Sequence, residues 1–128
     1  GTQVISAEIL ENVSFISFYC LLESKYWLDK SEVKWLRNNT KEKCKGVNVN
    51  DIEILSCFFP SIPSDNPTYV DFLHKFQQEV LSALFIYQQM INTRMTFKEI
   101  CVDAIKRYNN SARNEEEVLE MQVAVLKR

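Results

Sequence analysis

Only two glycines, Gly1 and Gly46, occur in these 128 residues, and that scarcity restricts the fold more than any motif does. Glycine supplies the φ > 0 positions of hairpin turns, tight β-corners and phosphate-cradling loops. A chain almost without it is poorly equipped for an all-β architecture and cannot carry a glycine-rich nucleotide loop. The expectation is an all-α fold, a compact bundle of five or six helices with one long central helix. The length fits a single domain over residues 1–128. A hydrophobic content of 46% supplies enough apolar material for a core rather than a disordered chain.

The formal net charge of −2 gives the whole chain no bias toward nucleic acid or anionic membranes. No apolar run approaches the roughly 18–20 residues that a membrane span needs. The first residues lack a basic n-region, so no signal peptide is expected. Cys20, Cys44, Cys57 and Cys101 are widely spaced and contain no CxxC pair. Tetrahedral zinc sites usually draw two ligands from one short segment, so no metal is expected. Cys20, Cys57 and Cys101 sit among apolar residues, where reduced cysteine acts as a small hydrophobe. Three N-x-S/T sequons, at Asn12, Asn38 and Asn109, together with an even cysteine count, keep a secreted, disulfide-linked bundle as the alternative to an intracellular protein. Asn12 lies inside a helical pattern, which argues that its sequon arises by chance.

Helical periodicity organises most of the chain. Ser6 caps a first helix running to about Trp27, apolar nearly all round through Phe15, Phe18, Tyr19, Leu21 and Leu22. Ser31 and Glu32 open a second helix, whose basic end from Arg37 to Lys45 stops at Gly46. Asp51 caps a third over 52–59, ended by Pro60, and Pro60–Pro67 reads as a linker. The fourth helix, Thr68 to Asn92, steps through Val70, Leu73, Phe76, Val80, Leu84, Tyr87 and Ile91 at intervals of three and four. Thr96 and Glu99 form a capping-box pattern that opens a fifth helix. Asn114 and the acids at 115–117 open a sixth, rich in Val118, Leu119, Met121, Val123, Val125 and Leu126.

Catalytic chemistry is not legible. The single histidine, His74, falls in the middle of the expected fourth helix, where a half-exposed position accounts for it; without it, Ser–His and Cys–His arrangements lose their base. The carboxylates read as solvated faces, with no inward pairing of a di-metal bundle. The basic stretch Lys34 to Lys45 beside Trp35 is diluted by Glu32 and Glu42 and reads as a solvated helix end.

Asp51-Ile-Glu-Ile-Leu-Ser-Cys-Phe-Phe-Pro60, Phe76-Gln-Gln-Glu-Val-Leu-Ser-Ala-Leu-Phe-Ile-Tyr87 and Arg94-Met-Thr-Phe-Lys-Glu-Ile100 together resemble the later helices of nuclear-receptor ligand-binding domains, over residues 51–107. The matching positions are generic amphipathic-helix residues, and the first fifty residues do not fit such a domain. No function is carried over from the resemblance.

The first and sixth helices are too apolar for surface helices of a small monomer, and such a surplus marks a contact surface. The function expected is therefore a non-enzymatic protein–protein interaction or dimerisation domain, intracellular, with no cofactor. It buries an apolar and aromatic helical surface against a partner helix or a second copy. Trp27, Trp35, Phe85, Met121 and Val125 are the candidate contacts. A small apolar-ligand-binding domain is the further alternative.

Overall fold

The computed structural model describes residues 7–43, 58–59, 69–72 and 74–110. Helix α1 spans Ala7–Leu22, strand β1 Trp27–Asp29, helix α2 Lys30–Lys43, strand β2 Tyr69–Asp71 and helix α3 Lys75–Thr93. A further helix, α4, covers 97–110. The architecture is mostly helical, with one two-stranded antiparallel sheet. The sixth expected helix, most of the third and the whole of the proline linker lie outside the described residues. Phe58 and Phe59, the expected end of the third helix, are non-helical and buried.

α1 is the centre of the packing. Every residue from Asn12 to Cys20 is buried, as its all-round apolar sequence requires. It is shorter than expected. Ser24 adopts a left-handed conformation at φ 59. The Ser24 N–H donates to the Leu21 carbonyl at 3.0 Å and the Lys25 N–H to the Cys20 carbonyl at 2.9 Å. This is a Schellman closure built without glycine. Trp27 consequently lies in β1 rather than at a helix end.

β1 and β2 pair Trp27 with Asp71, Leu28 with Val70 and Asp29 with Tyr69. Leu28 and Val70 point into the core and are fully buried. The fourth expected helix therefore starts later than its periodicity indicated: residues 69–71 are strand, and His74 is the N-cap of α3 with extended dihedrals rather than a mid-helix residue. Val70 satisfies a helical step and a strand alternation equally well. The partner strand at Leu28 decides between them.

The core is an aromatic seam crossing α1, α2, α3 and α4. Phe15 lies 5.0 Å from Trp35 and 5.6 Å from Phe85, centroid to centroid, and Phe18 stacks on Phe85 at 5.4 Å. Tyr19 stacks on Tyr108 of α4 at 4.0 Å. Ile100, Ala104 and Tyr108, spaced by four, are the buried face of α4. The capping box forms as the sequence indicates. The Thr96 N–H donates to Glu99 Oε1 at 3.2 Å and the Glu99 N–H to Thr96 Oγ1 at 3.3 Å.

Candidate interaction surface

α3 is amphipathic in the opposite sense from the one its sequence suggests. Gln78, Leu81, Ser82 and Phe85 face inward, and α1 packs more extensively on this helix than on α2. Two of those four inward residues are polar, and both donate hydrogen bonds, while Gln78 Oε1 finds no partner among the described residues. Gln78 Nε2 donates to the carbonyls of Lys25 at 2.9 Å and Ser17 at 3.3 Å. Ser82 Oγ donates to the Gln78 carbonyl at 2.8 Å. The small Ser82 leaves room for Phe15 and Phe18 to close on Phe85.

The large apolar residues lie on the other side. Phe76 is 73% exposed, Tyr87 63%, Ile91 58%, Val80 50% and Met90 43%. All of these except Met90 belong to the stepped line that identified the helix. At about 100° per residue, Phe76, Val80, Tyr87 and Ile91 fall within about 30° of one line along the axis. Of the 19 residues of α3 only Lys75 and Glu79 are charged, and the Lys75 ammonium lies 4.2 Å from the Tyr26 ring centroid, a cation–π contact. A contiguous apolar strip with almost no charge is the composition of an interface centre rather than of solvated surface.

The residues named from the sequence fall into three places. Trp27, 39% exposed, stands at the sheet and donates from Nε1 to Asp29 Oδ1 at 2.9 Å. Trp35 and Phe85 are buried in this chain's own core. Met121 and Val125 lie outside the described residues. The structure brings Trp35 and Phe85 together through Phe15, but as core rather than surface. Phe76, Val80, Tyr87, Met90 and Ile91 were not named as contacts. Their signal was present: the stepped line and the inward Gln78 and Ser82 are both in the sequence, yet a line of apolar residues is ordinarily the buried one.

A second group escaped the sequence reading altogether. Glu32, expected as a solvated first-turn acid, is buried. Its carboxylate pairs with the Lys25 ammonium and accepts from Ser31 Oγ. It also accepts from Tyr108 Oη at 3.3 Å and from the Asp29 N–H at 3.4 Å. Lys25 Nζ bridges to Asp29 Oδ2 at 2.7 Å. Burial works to lower the Lys25 ammonium, but its hydrogen bonds to Asp29 and Glu32 outweigh burial and hold it above its ordinary range. The hydrogen bond from Lys25 holds the Asp29 carboxyl below the usual carboxylate range. Burial pushes the Cys20 thiol well up, with Glu32 adding to it. Burial and then Glu23 push the Tyr19 phenol up to about 12. Tyr108 is raised chiefly by burial. Each tyrosine or cysteine of the group is held protonated, so none is poised as a nucleophile or base near neutral pH. The cluster is a clasp between the α1–β1 turn, α2 and α4.

Among the described residues Cys20 and Cys101 carry free thiols, and no group of three or more His, Cys, Asp or Glu is placed to hold a metal ion. No described helix is long and apolar enough to cross a membrane. Asn12 is buried, so a glycan there is incompatible with this packing, whereas Asn38 and Asn109 are exposed. Comparison with known proteins finds no protein-family model, no curated protein and no solved structure that matches this chain.

Proposed function

We propose that the chain is a non-enzymatic protein–protein interaction domain that buries an apolar, aromatic helical surface against a partner helix or a second copy. The reading covers a single domain over 1–128 with the five or six helices its pattern calls for. One observation carries it: α3 keeps Gln78 and Ser82 inside and leaves Phe76, Val80, Tyr87, Met90 and Ile91 in water. An isolated exposed leucine needs no explanation, but five large apolar residues on one helix face do. Trp27 remains a contact residue in this proposal, as do Met121 and Val125 from the sequence. No catalytic residue, metal or cofactor enters it. Intracellular residence is part of the proposal, supported by the free thiols of Cys20 and Cys101.

The test is a pair of substitutions, Phe76→Ser and Ile91→Ser, read by urea denaturation and by binding of an apolar fluorescent dye, in dilute solution. Surface residues leave the unfolding free energy within about 0.5 kcal/mol, and dye binding falls. A loss of about 3–5 kcal/mol, the range for truncated core aromatics, shows the face to be part of the chain's own core and removes the proposal.

A further inference from the structure

We infer that the occupant of the α3 face is a second copy of this chain, laid antiparallel along α3 about a two-fold axis between Ala83 and Leu84. This rests on the reading of that face as a docking surface. The argument begins with sequence symmetry. Four of the five exposed residues pair about the point between 83 and 84, Phe76 with Ile91 and Val80 with Tyr87, with Ala83 and Leu84 at the centre, whereas Met90 falls opposite the half-buried Gln77. In an isologous interface residue i of one copy meets residue j of the other and j meets i, so each of these pairs is made twice. Antiparallel packing then sets a large ring against an aliphatic side chain at each of the four outer crossings. The small Ala83 falls at the axis, where two helices 8–10 Å apart need a small side chain. A parallel arrangement does none of this. It stacks Phe76 on Phe76 and Tyr87 on Tyr87 and leaves a gap between the two Ala83 residues.

Charge favours the same occupant. A different partner steered by electrostatics needs charges to read, and this face offers only Glu79, since Lys75 is engaged on Tyr26. In the antiparallel pair the two Glu79 residues sit about 13 Å apart along the helix axis, without close like-charge repulsion. The area also suffices. The exposed fractions of Phe76, Val80, Tyr87, Met90 and Ile91, with aromatic side chains offering about 150–250 Å² each, give roughly 500–600 Å² per copy. Two copies together reach the roughly 1,000 Å² at which specific interfaces begin. The expected assembly is a reversible dimer.

The experiment uses sedimentation equilibrium on the whole chain across a concentration series, with Val80→Lys and Tyr87→Glu singly and mixed. Circular dichroism and urea midpoints in dilute solution monitor folding. The wild type is expected to dimerise. Each variant alone is expected to weaken the dimer by about 30-fold or more, the scale of an interface hot spot. The one-to-one mixture is expected to recover most of that loss, because Lys at 80 of one copy meets Glu at 87 of the other while the second crossing keeps its native Val80–Tyr87 pair. A wild-type chain that stays at 15.0 kDa throughout overturns the second-copy inference while leaving the docking surface intact. A dimer that ignores both substitutions, or a mixture that fails to recover, overturns it as well. Variants that unfold when dilute place the face in the chain's own core, and the underlying reading fails with it.

Discussion

Replacing Lys25 by methionine opens the buried clasp from one side. Glu32 then keeps Ser31 Oγ, the Tyr108 hydroxyl and the Asp29 N–H but loses the ammonium it pairs with. Its side chain is 3% exposed, so water cannot take the place of the ammonium. Removing one member of a buried pair costs about 3–5 kcal/mol. The three surviving donors and the 19% exposure of the Lys25 side chain place the cost near the low end, about 3 kcal/mol. Glu32→Leu is milder, about 2 kcal/mol, because the stranded ammonium retains Asp29 on the half-exposed side. The double variant removes both charges and costs less than the two singles combined by about 1–3 kcal/mol, the coupling of groups in one network. Urea denaturation with a shared slope measures all four corners, against a total stability of about 5–15 kcal/mol for a domain. A Lys25→Met loss under about 1 kcal/mol, or simple additivity in the double variant, refutes the account of a desolvated pair.

Asn12 is buried and neither of its side-chain polar atoms finds a partner among the described residues. Asn12→Leu should raise stability by about 1–3 kcal/mol, the desolvation cost of an unmet polar group, read as a shift of the urea midpoint. Phe85→Ala should cost about 3–5 kcal/mol and quench the near-ultraviolet dichroism of the Phe15–Trp35 pair. Stability should decline in alkali. Cys20, Tyr19 and Tyr108 are raised when folded, so above an ordinary thiol pKa of 9.0 the unfolded chain holds fewer protons than the folded one. The stabilisation is complete below that point and is lost as pH rises toward the folded values. Cys20→Ala should flatten the first part of that decline in a pH series of urea midpoints.

The helical character, the second helix and the Thr96–Glu99 capping box are legible because each rests on contacts within a few residues. The strand at 69–71 is not, since Val70 becomes a strand residue only by facing Leu28. Glu32 looks like any first-turn acid until Lys25 and Tyr108 close around it from elsewhere in the chain. The orientation of α3 is the most instructive case. Its periodicity locates the helix and its apolar line, but periodicity does not say which line is buried. That choice is made by Gln78, whose amide donates to the carbonyls of Ser17 and Lys25. It also explains why Phe85 is in the core and its neighbours at 80, 84 and 87 are directed progressively outward.

The Gln78 bridge also has a consequence for synthesis. It joins residues separated by 61 and 53 positions, and the Tyr108–Glu32 contact spans 76. When α1 and α2 leave the ribosome, the elements that cover α1 have not yet been made. At about 5–20 residues per second, the apolar surface of α1 waits several seconds for α3 and α4. During that interval the nascent chain is a natural client for chaperones. Slow codons placed between α2 and α3 should lower the yield of folded protein, whereas the same codons after α4 should not.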